Sequence, residues 1–276
     1  GGGRGIKVVL KEKDLKNKEE KIINLDDYGY DIDIFPHQPS ISKGDDVSKI
    51  PFYYNSEYYN INEFLGEDCI QIKILGKMRG QQLARLSISP ILYNPITNQL
   101  KVITSIEAKI VFKQTNISGD ILNRKKYYSS EFESLFKSCV NYLPISGKDV
   151  ITTYPVKYVI ISDPAFQSAL QPLVEWKTKK GFLVVEGYTN DPLVGNTTSS
   201  IKSFIKDMYD NATSSDPAPT YLLIVGDVAQ VPSFNGNSGS HISDMYYCEF
   251  DGGGDFYPEM YYGRFSATTS AEVEIQ

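Results

Sequence analysis

At 276 residues, with 41% hydrophobic and 22% charged side chains, the chain is long enough for two cores and has the composition of a globular protein. No apolar run approaches the ~20 residues a bilayer-spanning helix needs and no signal peptide is present, so no membrane span is expected. The net charge of −6 is uneven: residues 1–153 carry 21 Lys+Arg against 19 Asp+Glu, residues 154–276 carry 7 against 15, which disfavours nucleic acid as a partner and suits either a cation site or a solvated acidic surface.

Residues 1–113 read as a β-rich domain. Apolar side chains alternate at Ile70, Ile72 and Ile74, at Ala84, Leu86 and Ile88, and at Ile106, Ala108, Ile110 and Phe112, which places them on one face of each strand. Turn residues at 76–80 and 93–98 separate the runs. Short strands at this spacing predict an all-β sandwich or barrel. The aromatic clusters Phe52–Tyr54 and Tyr58–Tyr59 either cover its core or meet a partner.

Residues 114–153 read as a linker. It contains the basic run Arg124–Lys126, a short amphipathic stretch over 131–140, and Pro144, Gly147 and Lys148. An exposed linker containing Arg124, Lys125, Lys126 and Lys148 is easy for a trypsin-like protease to cut.

From Tyr154 the period changes. Tyr158–Ile161 is a continuous apolar run of the kind buried on both faces of a parallel sheet. Phe166, Ala169, Leu170, Leu173 and Val174 then follow helical spacing to Gly181. Phe182–Val185 supplies a second strand. Ser199 or Ser200 caps a second helix carrying Ile201, Phe204, Ile205, Met208 and Tyr209, and Tyr221–Val225 is the third strand. This order predicts an α/β subdomain with a parallel sheet over 154–276.

Ligands of such sheets gather beyond the carboxyl ends of the strands, and Asp227 follows the third strand directly. Asp251, Asp255 and Glu259 come next, in a loop with three glycines. Carboxylates and backbone oxygens without His or Cys suit a hard cation such as calcium; an acidic hairpin turn is the alternative. Three cysteines, Cys69, Cys139 and Cys248, form no zinc-type or disulfide spacing. Cys248, in a run that reads as a strand, is expected to be structural although His241 lies near it in sequence. Ser243, His241 and Asp244 are too close along the chain to face one another as a triad.

The runs GDVAQVP at 226–232, SD at 243–244, DFYPE at 255–259 and YGRFS at 262–266 resemble the gingipain family of cysteine peptidases, as does VEWKTKKG at 174–181. MRG at 78–80 and SPILYNP at 89–95 resemble that family's β-sandwich prodomain. The resemblance implies a caspase-like catalytic domain. It also implies structural calcium held by carboxylates of Asp227, Asp255 and Glu259 and main-chain oxygens of Tyr257 and Asp251. The family's catalytic His-Gly and Cys match nothing in this chain, so no catalytic residue is assigned. The expectation is a zymogen fragment, inactive alone, of a bacterial cysteine endopeptidase that is secreted or at the cell surface. Such a parent takes protein or peptide substrates, and its prodomain packs on the catalytic domain until an activation cut in the 114–153 linker, for which Lys148 is the expected position ahead of Arg124. A non-catalytic, calcium-stabilised surface or secretion-system protein on the same scaffold is the alternative.

Overall fold

The structure, a computed structural model, describes residues 15–29, 34–108, 110, 117–144, 155–213, 215–236, 241–252 and 254–276. Two compact units divide the chain, one of Gly1–Ile74 with Ala84–Thr115, the other of Leu75–Leu83 with Asn116–Gln276.

The first unit is β-rich and antiparallel. β1 (Leu15–Asn24), β5 (Gln99–Ala108) and β4 (Ile91–Asn94) form a three-stranded sheet with β5 in the centre. Its alternation buries Tyr93 and Ile103. A short helix, α1 (Ser56–Tyr59), is capped by the Asn55 side chain. The aromatic cluster is exposed rather than covering a core: Phe52, Tyr53, Tyr54 and Tyr58 face solvent, and Tyr54 stacks on Tyr59 with centroids 4.6 Å apart. β2 (Ile70–Met78) and β3 (Gln81–Ile88) pair as a two-stranded ribbon. The apolar side chains expected to face inward, Ile74, Leu86 and Ile88, are exposed, because a ribbon of two strands has no second layer among the described residues.

The ribbon's tip, Leu75–Leu83, groups with the second unit. Its turn is shorter than the five residues expected, since Gly76–Met78 continue β2 and only Arg79 and Gly80 turn the chain. Both have positive φ, 51° and 69°, the backbone of a two-residue type I′ hairpin that normally selects Asn-Gly or Asp-Gly. An arginine in this conformation is uncommon.

In the second unit, four strands form a parallel sheet in the order β11-β8-β6-β7, from β6 (Lys157–Ser162), β7 (Leu183–Tyr188), β8 (Tyr221–Val225) and β11 (Tyr261–Phe265). The continuous apolar runs arise because helices cover both faces. Val159, Ile161, Leu222 and Ile224 point to α5 (Thr198–Asp210), where Ile201 and Ile205 are fully buried. Ile160, Leu223 and Val225 point the other way, to α4 (Gln167–Lys179) through Leu170 and to α6 (Ser270–Ile275) through Val273. The cap of α5 is Thr197, two or three residues before the serines expected, with Ser200 completing a capping box. Between β8 and β11 lie two two-residue strands, β9 (Phe234–Asn235) and β10 (Ile242–Ser243), and the stretch expected as a strand at Tyr246–Phe250 is instead a 3-10 turn, Met245–Tyr247, running into a loop.

The expected linker carries two helices, α2 (Ile117–Lys126) and α3 (Ser130–Phe136), which belong to the second unit. Lys148 lies outside the described residues. No helix among the described residues is long and apolar enough to cross a membrane.

Candidate functional site

At the amino-terminal edge of the parallel sheet, the hairpin tip meets the loop that leads into β11. Arg79 is 1% exposed, and its guanidinium is caged by backbone carbonyls. Nε donates to Tyr127 O at 2.8 Å, Nη1 to Pro219 O at 2.6 Å and Glu259 O at 3.0 Å, and Nη2 to Tyr128 O at 3.4 Å. The rings of Phe132 and Tyr209 lie 5.3 and 5.4 Å from the guanidinium carbon. Such contacts fit a planar, weakly hydrated cation better than an ammonium. Burial presses the Arg79 pKa down, with Tyr209 and Glu259 opposing, and an arginine stays charged regardless.

Glu259 is equally buried. Its Oε2 accepts from the Arg79 backbone N–H and from the Tyr209 hydroxyl, the latter at 2.6 Å. Its Oε1 has no donor, because the neighbouring group is the Asp251 carboxylate, an acceptor too. Burial lifts the Glu259 carboxyl to about 8; Asp251 adds to this, and the Tyr209 and Arg79 donors oppose it. Asp255 accepts from Lys77 N at 2.7 Å and from Tyr257 N at 3.1 Å, while the Lys77 ammonium stands 3.4 Å from Asp251.

The close approach of backbone to carboxylate explains Gly76. A Cβ there would lie 2.3 Å from Asp255 Oδ1 and 2.9 Å from the Tyr257 ring. Gly76→Ala is expected to cost about 1–3 kcal/mol by overpacking, read as a shift of the denaturant midpoint. Gly44→Ala, with nothing within 4 Å, serves as the control.

The five residues expected to bind calcium therefore do not converge. Asp251, Asp255, Tyr257 and Glu259 lie together at the amino-terminal edge. Asp227 lies at the other end of β8: Tyr261 N bonds to Thr220 O at one end of the β8–β11 pair, and Gly226 N to Phe265 O at the other. Four residue steps at ~3.3 Å put roughly 13 Å of strand between them. Sequence order suggested one loop system because β8 and β11 are parallel neighbours, but Asp227 follows one strand and Glu259 precedes the other. Among the described residues no three His, Cys, Asp or Glu side chains are grouped to hold a metal. A smaller donor set does fit a cation: the buried Glu259 Oε1 has no donor and faces the Asp251 carboxylate, an arrangement that a shared proton or a bound cation would satisfy beside the Lys77 ammonium already paired with Asp251.

At the carboxyl edge, Asp227 accepts from Val228 N at 2.8 Å, and its carbonyl turns the following loop through Gln230 N and Val231 N. Arg264 of β11 secures this edge. It forms two 2.7 Å bonds to Asp244 and donates to the carbonyls of Gly226, Val231 and Pro232. Asp244, considered at first beside His241, is thus the partner of an arginine. Cys248 is fully buried in the α5-side core, and burial pushes its thiol pKa up, away from the thiolate that a nucleophile requires.

Arg124 sits in the last turn of α2. It pairs with Glu133 at 2.9 Å and lies over the Tyr142 ring. Proteases bind extended substrate, so this position, expected as a secondary cleavage site, has a structural role in its present conformation. The residue that sequence reasoning passed over is Arg79, noted only as part of the MRG run. Its signal was an arginine where a two-residue hairpin wants Asn or Asp.

Comparison with known proteins matches residues 10–140 to the propeptide of family C25 and residues 151–276 to peptidase family C25. Lys-gingipain from Porphyromonas gingivalis is 35% identical over 265 residues, covering 94% of this chain and 15% of its own length. Gingipain R1 from the same organism is 28% identical over 247 residues, covering 88% of this chain and 24% of its own length. The chain thus spans a small part of these relatives. Among solved structures, one described as giving insight into the zymogenic latency of gingipain K from Porphyromonas gingivalis is 39% identical, covers 40% of this chain and 59% of its own, and superposes with a TM-score of 0.36.

Proposed function

This chain belongs to peptidase family C25, carrying the family's propeptide followed by the beginning of its peptidase domain, and on that footing we propose that it is the latent portion of a gingipain-type cysteine endopeptidase exported by a bacterium. The observation that carries the reading is the order of the two matches along one chain, propeptide at 10–140 and peptidase from 151. The sandwich expected for the propeptide is part of the same proposal, with the three-stranded sheet as one of its layers. The non-catalytic alternative is not favoured by relatives that are named as gingipains.

In the longer protein, a cysteine thiolate attacks the scissile carbonyl of a protein or peptide substrate, with a histidine moving the proton. No residue of this chain is assigned to either role. The residues here supply the scaffold. The parallel sheet presents its carboxyl edge, braced by Arg264 and Asp244, and the propeptide hairpin is built into the opposite edge. Cleavage between the two matched regions, with Lys148 the favoured position, severs the covalent link between propeptide and peptidase. The test is the longer protein assayed on peptides before and after a single cut in 145–154. Latency relieved by the cut, and activity abolished by thiol alkylation, supports the reading. Activity insensitive to alkylation contradicts it.

Calcium is proposed at Asp251 and Glu259, with main-chain oxygens of the 251–257 loop, Tyr257 included, as further ligands and Asp255 beside them. Bound there, the ion supplies charge balance to the facing carboxylates and stiffens the loop. Calcium at a hundredfold excess over Kd is expected to raise unfolding free energy by about 2.7 kcal/mol, seen as a melting-temperature rise over chelator that magnesium does not reproduce. Glu259→Gln should abolish the rise and Asp227→Ala should leave it intact. A rise lost in Asp227→Ala would restore the wider site.

A further inference from the structure

We propose that the cage around Arg79 is a docking site that keeps the propeptide on the peptidase part after the chain between them is cut, and that it does so at the amino-terminal edge of the sheet, away from the edge at which Asp227 lies. The inference rests on the zymogen reading and adds to it the residue and surface that hold the two products together.

The cage draws on three stretches of chain. The hairpin tip contributes Arg79 itself. The α2–α3 segment, still within the propeptide match, contributes the carbonyls of Tyr127 and Tyr128 and the Phe132 ring. The peptidase match contributes the carbonyls of Pro219 and Glu259, the Glu259 carboxylate and the Tyr209 ring. A cut within 145–154 severs the covalent connection and breaks none of these bonds. The same surface continues beyond the arginine: Tyr127 stacks on Tyr209 at 4.4 Å, Phe132 packs on Tyr261 at 4.6 Å, and Lys126 donates to Asp210 O at 2.7 Å.

Chemistry selects arginine for this position. Five N–H donors on a rigid plane can satisfy carbonyls on several sides at once, whereas an ammonium has three donors at a point. Buried, hydrogen-bonded and flanked by rings, Arg79 has the character of an interface hot spot. Its left-handed backbone aims Arg79 N at Glu259 while the side chain enters the cage, so the uncommon turn conformation has a purpose.

The test uses the full chain with a specific protease site inserted in 145–154, nicked and then measured by size-exclusion and titration of the two fragments. Nicked wild type is expected to run as one particle at micromolar concentration. Nicked Arg79→Ala is expected to separate, its Kd weaker by roughly a hundredfold, while the exposed Arg85→Ala behaves as wild type. Arg79→Lys, which keeps charge and most of the volume, decides the matter if Arg79→Ala fails to fold, and a loss of about tenfold or more is expected of it. Separation of the nicked wild type, or an unchanged Kd in either Arg79 variant, overturns the proposal. The readout is association alone, so its failure leaves the peptidase reading standing, and an inactive parent would leave the anchor standing.

Discussion

Arg79→Ala in the intact chain is expected to lower the stability of the second unit by about 3–5 kcal/mol, the range for removing one member of a buried charged network. Three consequences add. The carbonyls of Tyr127, Pro219 and Glu259 lose their donors, the last two in buried bonds and the first in a partly buried one. The space beside Phe132 and Tyr209 empties. Glu259, fully buried, loses the positive charge that favours its ionised form. At about 2–4 °C per kcal/mol for a unit of this size, the melting temperature should fall on the order of 10 °C. Chemical denaturation with an unchanged m-value is the cleaner measurement. A loss below about 1 kcal/mol would place Arg79 on an ordinary surface turn.

The second large effect belongs to the other edge of the sheet. Arg264→Met should cost about 3–5 kcal/mol, because Asp244 would be left nearly buried without its bidentate partner and three carbonyls would lose their donors. Asp244→Leu alone should be similarly severe. The double variant Arg264→Met with Asp244→Leu should recover part of the loss, since exchanging a buried ion pair for apolar groups is often near neutral. Strict additivity in that cycle would mean that the two residues act separately. The loop after Asp227 should also loosen, which amide exchange of Val228–Val231 would report.

Much of the second unit is legible in sequence because its two signals are local. Tyr158–Ile161 and Tyr221–Val225 are apolar without interruption, and the helices between them keep their spacing, so parallel strands under two layers of helix follow directly. The α5 cap moved to Thr197 because a capping box needs the right spacing between two hydroxyls, and four hydroxyl residues in a row, 197–200, leave the first turn ambiguous. The strand expected at Tyr246–Phe250 failed for a different reason. Its aromatic residues have high strand propensity, yet Tyr247 and Cys248 fill the core beside α5 from a 3-10 turn, where packing overrides propensity.

The candidate site was legible in composition and not in geometry. Asp251, Asp255 and Glu259 were drawn together correctly as one loop. Asp227 was added because it ends a strand, and only the register of β8 against β11 shows that it ends the wrong end of the sheet. Arg79 escaped because its partners are almost all backbone carbonyls of Tyr127, Tyr128, Pro219 and Glu259, groups that leave no mark in a sequence.

The claim on which the account turns is that a propeptide hairpin folds as part of the peptidase unit. Hydrogen exchange of the full chain tests it most directly, through the amides of Lys77 and Arg79, whose acceptors are Asp255 and Glu259. Peptides spanning 75–83 are expected to exchange as slowly as β6 and β8 and to lose that protection in Arg79→Ala. Exchange as fast as in the exposed Phe52–Tyr54 segment would contradict it.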